Sequence, residues 1–301
     1  MLVFGSINMD LAAYVPVLPR AGETLIGDNF RTVPGGKGAN QAVACARLGA
    51  RVEMFGRVGD DGFGREHLAV LSSEGVGIAG IAIDRSAKTG VAIIEVDRHG
   101  ENTIVVISGA NMEIGEEDVD RCAAALHRAS ALLLQLEVPL DANLEIAKLA
   151  QARGVPVILD PAPARELPEE IFSLVDILTP NEVEAESLVG FAVNGRETAE
   201  QAAALLRQQG VGRVVIKMAH RGAYYAGENE AGWVKPFDVK AVDTVAAGDA
   251  FNGGVAAAIA EGTGFKEALR WGAAAGALTV MRRGAIDSLP TRADLDLLLS
   301  Q

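Results

Sequence analysis

Cysteine is almost missing from the 301-residue sequence: Cys45 and Cys122 are the only two, and both lie in helix-like apolar patterns. That scarcity argues against a disulfide framework and predicts reduced core thiols in a cytoplasmic protein. Positive charge is short as well, with 27 Lys and Arg against 40 Asp and Glu and a net charge of -13. Long-range attraction to nucleic acid or an anionic membrane is disfavoured, so an anionic substrate would need a local pocket of N–H groups. The longest apolar run, Trp271 to Met281, is flanked by Arg270 and Arg282. It falls well short of the roughly 18 to 20 residues of a bilayer span and predicts a buried helix. The opening MLVFGSINMD has no basic stretch before its apolar residues and meets Asp10 at once, so no export signal is expected.

Several chemical signatures are absent too. The four histidines, His67, His99, His127 and His220, have no zinc-ligand spacing, and no GxSxG elbow occurs. Gly75 to Gly80 fits GxGxxG, but it follows a helical run and leads into a strand-like one, the reverse of a dinucleotide-binding turn. Gly36-Lys37 fails as a phosphate loop because residue 38 is Gly where Ser or Thr is needed and residue 31 is Arg where Gly is needed.

What is present is a globular, enzyme-like composition, 49% hydrophobic and 22% charged with 34 Gly. Short β-rich runs alternate with amphipathic helical ones. Strands are expected at Leu2–Gly5, Val52–Val58, Ala131–Leu136, Val155–Leu159, Asp176–Leu178 and Arg213–Lys217. Helices are expected near 38–48, 64–74, 139–152, 181–189, 197–209 and 249–261. The pattern predicts an α/β fold, a doubly wound and mostly parallel sheet flanked by helices, in a single domain over 1–301. Residues 11–34 and 88–107 break the alternation; the second reads as two strands joined by Asp-Arg-His-Gly. Together they suggest a small β lid over a crevice at the carboxyl ends of the strands.

The strongest chemical signal is DTVAAGDAF from Asp243, a run of small residues opening a helix. Backbone N–H groups of Ala246, Ala247 and Gly248 there can hold a phosphoryl group. Asp249 beside them can accept the proton of an attacking hydroxyl, or merely cap the helix. In PGGKGANQ from Pro34, helical spacing makes Lys37 and Asn40 neighbours that could grip one hydroxylated ligand; alternatively the glycines make a turn and Lys37 is solvated. Asn8 and Asp10 share one side of an extended segment and can meet vicinal hydroxyls, or cap a loop. Glu137 ends an apolar strand, though Pro139 allows it to be a simple terminator. Asn181 and Glu184, one helical turn apart, suit a magnesium-bound water and a phosphate and also form a capping-box pair.

GSINMD at 5–10, GGKGANQA at 35–42, TGVA at 89–92, SGAN at 108–111, QLE at 135–137, PAPARELP at 161–168, TPNE at 179–182 and DTVAAGD at 243–249 stand in an order that resembles the ribokinases, sugar kinases of the phosphofructokinase-B type. The resemblance covers nearly the whole chain. It implies ATP-dependent phosphorylation of D-ribose at O5, with 2-deoxyribose, another small sugar or a nucleoside as alternative acceptors. A non-catalytic ribose or nucleotide sensor is the alternative of another class. By the resemblance Asn8, Asp10, Gly36, Lys37, Asn40 and Glu137 would bind the sugar and Asp249 would be the base. Asn181 and the anion hole would meet the ATP phosphates, with the rest of the nucleotide near Lys217, Met218, Ala219, His220, Arg221, Gly222 and Ala273. An activating potassium ion would sit at Asp243, Val245, Thr279, Arg282, Gly284 and Ser288, mostly on backbone carbonyls. The lid would pair two subunits in a homodimer. Lys217, Ala219 and His220 stand where ribokinases often show Thr, Gly and Ser, Ala273 replaces a common His or Asn, and Ile286-Asp287 replaces a more usual polar-Pro pair.

Overall fold

A computed structural model describes all of residues 1–301. The chain opens with β1 (Leu2–Phe4), β2 (Asn8–Tyr14), β3 (Asn29–Gly35), α1 (Lys37–Arg47), β4 (Glu53–Gly59), α2 (Gly62–Ser73) and β5 (Gly77–Asp84). It continues through β6 (Gly90–Val96), β7 (Asn102–Ile107), α3 (Glu116–Ala125), β8 (Leu132–Leu134), α4 (Leu140–Ala152), β9 (Val157–Leu159), α5 (Glu169–Phe172) and β10 (Ile177–Leu178). It ends with α6 (Glu182–Val189), α7 (Arg196–Gln208), β11 (Arg213–Lys217), β12 (Ala223–Ala226), β13 (Ala231–Val234), α8 (Ala247–Ala260), α9 (Phe265–Val280) and α10 (Arg292–Leu299).

Nine strands form one sheet in the order β13-β12-β11-β10-β9-β8-β1-β4-β5, parallel from β11 to β5. Both faces are covered because alternate side chains are apolar on each side. Val3 and Leu133 join a core with α1, α8 and α9, while Leu2, Phe4, Leu132 and Leu134 join the opposite core with α3, α4 and α7. The doubly wound expectation is borne out. The antiparallel pair β12–β13 at one edge was not anticipated. Several expected strands are shorter than their apolar runs: Ala131–Leu136 pairs only over β8, and Val155–Leu159 only over β9. Gly75, with φ of 79°, ends the α2 turn and delivers the chain to β5, as a C-cap and loop.

A second sheet, β3-β2-β6-β7, draws on the two segments that break the alternation. Its β6–β7 turn is fastened by Asp97, whose side chain accepts the N–H groups of His99 and Glu101. The root is fastened more firmly. Asn111 accepts the Ile7 N–H at 2.9 Å and donates to Ile7 O and to Asn8 Oδ1, while Asp61 takes both the N–H and the hydroxyl of Thr89. No helix of the chain is long and apolar enough to cross a membrane.

Candidate active site

The chain leaves β1 towards β4 on one side and later fills β8 to β11 on the other, so the order reverses between β1 and β8. Open α/β sheets bind ligands at such a point, outside the carboxyl ends of their strands. Asn8 and Asp10 follow β1, Glu137 follows β8, Asp160 follows β9, Asn181 follows β10 and Lys217 closes β11. Nearly every residue expected to act is thereby carried to one end of the sheet.

On the β1 side, the carboxylate of Glu137 accepts from Ser6 Oγ at 2.5 Å, from the Lys37 backbone N–H at 3.2 Å and from Asn8 Nδ2 at a longer 3.5 Å. It is bound to the first turn of α1 rather than ending a strand passively. Gly36 makes this approach possible: its φ is 91°, and a methyl group on it would lie 2.6 Å from Asn8 N. His67, buried in α2, shares a 2.9 Å hydrogen bond between Nε2 and the Gly35 carbonyl, and burial holds its pKa below the usual value. Lys37 is half-buried, not a freely solvated head group. Burial opposes its charge, but Asp249, Glu137, Asp160 and Glu184 together hold the ammonium above the usual lysine range.

Asp249 lies in the first turn of α8 and is held on both oxygens. Asn40 Nδ2 donates to Oδ2 at 2.9 Å and Gln41 Nε2 to Oδ1 at 3.0 Å. Each oxygen keeps a lone pair for another donor. Asn40 Oδ1 is buried and has no partner, an acceptor for which a ligand hydroxyl is a fitting donor. Burial, with Asp160 nearby, pushes Asp249 up to about 6 against the opposing Lys37. Burial, with Glu137 and Asp249, pushes Asp10 up to about 7.

The helix that Asp249 belongs to begins two residues earlier than expected, at Ala247, because Ala246 is left-handed with φ of 59°. The Ala247 N–H turns to Thr244 O at 3.3 Å, whereas those of Ala246, Gly248 and Asp249 have no partner within the chain. The N–H groups left free at this helix start are thus those of Ala246, Gly248 and Asp249, while that of Ala247, the third of the expected trio, is turned to Thr244.

Asn181 and Glu184 do form the capping box: Glu184 accepts the Asn181 N–H and Nδ2 at 2.8 Å each and returns its own N–H to Asn181 Oδ1. The remaining lone pairs of Glu184 fit a metal-bound water, and burial holds its pKa above the ordinary value. Beyond Lys217, Met218 is buried and Ala219 to Gly222 make a tight turn with positive φ at Ala219 and Gly222, leaving His220 exposed. Ala273 lies half-buried on α9.

Asp243 clamps the last candidate loop, accepting from Val245 N at 3.1 Å and from Gly284 N at 3.0 Å. The carbonyls of Val245, Arg282 and Gly284 receive no N–H of the chain. Thr279 and Ser288 donate their hydroxyls to Ala275 O and Ala285 O, and Arg282 pairs with Asp294. An all-oxygen set of mainly carbonyls fits a monovalent hard cation.

Gln41, Asp160 and Asn111 had no individual role assigned from sequence, yet they organise the site. Gln41 Nε2 bridges Asp249 and Asp160, while its Oε1 accepts from Gln135 Nε2 at 2.8 Å, which fixes the amide's orientation.

Residues 1–292 match the family described as pfkB family carbohydrate kinase. The chain is 42% identical to a ribokinase of Haemophilus influenzae over 292 residues, covering 97% of this chain and 95% of that one. It is 35% identical to a deoxyribokinase of Salmonella typhimurium, covering 96% and 95%. An Arabidopsis thaliana ribokinase structure complexed with ribose and ATP superposes with a TM-score of 0.93 at 34% identity, covering 100% of this chain and 98% of that one.

Proposed function

The chain belongs to the pfkB family of carbohydrate kinases, and from that premise we propose that it transfers the γ-phosphoryl group of ATP to O5 of D-ribose, yielding D-ribose 5-phosphate and ADP. The observation that carries this reading is Asp249, held by Asn40 and Gln41 between the Asn8–Glu137 cradle and the free N–H groups of α8. Asn8, Asp10, Lys37, Asn40 and Glu137, with Gly36 giving them room, hold the pentose. The 5-hydroxyl donates its proton to Asp249 as its oxygen bonds to phosphorus, and the bond from the γ-phosphorus to the bridging oxygen breaks to release ADP. Ala246, Gly248 and Asp249 N–H groups meet the charge on the transferring group.

The nucleotide lies along Asn181, Lys217–Gly222 and Ala273. Magnesium, held through water by Glu184, would neutralise phosphate charge. Potassium would be held by the Asp243 loop and its carbonyls, where it would complement the anion hole. We read 1–301 as one kinase domain, with the small sheet as a lid that excludes competing water.

The deoxyribokinase relative favours 2-deoxyribose as a second reading. ADP release with magnesium and potassium present, offered D-ribose, 2-deoxyribose, fructose and adenosine beside a no-sugar control, separates the two. Ribose is expected to give the highest kcat/KM. A higher value for 2-deoxyribose keeps the kinase and changes its acceptor; sugar binding with no ADP from any acceptor restores the sensor.

The lid also predicts assembly. Ile104, Val105, Val106 and Ile107 of the edge strand β7 are all exposed, alongside Ile93 of β6. Covering them in a second copy removes both an apolar surface and an open edge. Light scattering at micromolar concentration should give about twice the 31.4 kDa chain mass, and Val105→Lys should shift it towards monomer. A monomeric parent would overturn the pairing.

A further inference from the structure

Lys217 is placed unlike a residue that merely borders a nucleotide. Its Nζ lies 2.8 Å from Asp160 Oδ1, with the two side chains only 13% and 3% exposed. A methyl group on Gly248 would lie 3.4 Å from the same Nζ. The ammonium thus stands against the open first turn of α8, beside the free Gly248 N–H. Its one hydrogen bond leaves two N–H donors for a ligand.

Its partner gives it a fixed position. Asp160 Oδ2 accepts from Gln41 Nε2, whose other proton goes to Asp249, so Lys217, Asp160, Gln41 and Asp249 form one buried chain. Such a pair gains little for stability, because taking both charges out of water offsets most of their attraction. The site is otherwise rich in carboxylates, with Asp10, Glu137, Glu184 and Asp249 facing Lys37 and Lys217 as its cations. An incoming triphosphate needs a positive group at the point of transfer.

Resting on the kinase reading, we propose that Lys217 is a catalytic residue, donating from Nζ to an oxygen of the transferring γ-phosphoryl group while Asp160 holds its stem in place. The lysine transfers no proton and only stabilises charge. Its contribution belongs to the transition state, so it acts on kcat more than on ground-state affinity.

The test compares the parent with Lys217→Arg, Lys217→Met and the double variant Asp160→Asn/Lys217→Met, which leaves no unpaired buried carboxylate. In the double variant, kcat should fall about 100-fold. Sugar KM and ADP affinity by calorimetry should stay within about threefold, since ADP lacks the γ-phosphoryl group. Lys217→Arg should recover part of the loss and, because it leaves the Asp160 charge near Asp249 unchanged, should keep the acidic limb of the pH profile in place. A folded double variant with near-parental kcat overturns the role. So does a loss confined to ADP affinity, or an acidic limb that moves by about a pH unit in Lys217→Arg, where Asp160 is intact, and makes Lys217 act through Asp249. A parent that phosphorylates no acceptor overturns the kinase reading first, and this role with it.

Discussion

Asp249→Asn is expected to lower kcat about 1,000-fold while leaving the protein folded. Asparagine has the same shape, and the flanking amides can adapt: Asn40 keeps an unpartnered Oδ1 that can accept from a new amide N–H. What disappears is the group that takes the proton from the attacking hydroxyl. The variant should melt at or above the parent. A carboxyl moved from 3.8 to about 6 by burial disfavours the folded state at pH 7 by roughly 3 kcal/mol, and asparagine has no charge to bury. Near-normal turnover in a folded variant would remove Asp249 from the role of base.

The same group sets opposite pH dependences for stability and activity. Because its folded pKa is raised, the native state holds the proton more tightly between about pH 4 and 6, so stability from this group is full at low pH and lost as pH rises through 6. Asp10, raised to about 7, adds a change of the same sign that extends towards neutral pH. Catalysis needs the Asp249 carboxylate, so kcat/KM should fall up to tenfold per unit below about pH 6. Melting temperature and activity measured from pH 5 to 8 should therefore move apart in the parent. In Asp249→Asn the melting curve should be flatter over that range; an equally steep curve would assign the effect to other groups.

Sequence made the scaffold legible where the signal was local. Strands covered on both faces read as short apolar runs, and Asp97 to Gly100 announced the turn between β6 and β7. Glu137 was visible because a polar residue just after an apolar strand run stands at a carboxyl end, and Asn181 because it stands one helical turn before Glu184. Asp160 has the same position after β9 but carried no individual reading. Its partners lie 119 residues away at Gln41 and 57 away at Lys217, and only the sheet order brings them together. Ala246 shows a different limit: alanine has no intrinsic preference for a left-handed backbone, so its φ of 59° comes from the surrounding packing and shifts the helix start. The β12–β13 hairpin did have a signal, alternating apolar residues around Gly-Glu-Asn-Glu at 227–230, although its short strands blend into the following loop.

Gly36→Ala should raise sugar KM at least 100-fold while leaving ADP affinity within about threefold, a separation that follows from where its methyl group would go. The backbone at φ 91° and ψ 132° lies outside the regions open to L-residues. The added carbon would meet Asn8 N at 2.6 Å and Ile7 Cα and Ser6 O at 3.0 Å, all backbone atoms with no rotamer to change. Either the β1–β2 connection or the start of α1 must move. The first displaces Asn8 and Asp10, and the second displaces Lys37 and Asn40 together with the Lys37 N–H on Glu137. The proposed nucleotide side is built by β11, α8 and α9 and lies outside that displacement. Gly62→Ala is the matched control, since a methyl group there meets nothing within 4 Å and alanine favours its helix. If Gly36→Ala kept the parental sugar KM, the cradle would not depend on this close approach, and Asn8 and Lys37 could not be gripping the sugar from positions that Gly36 holds.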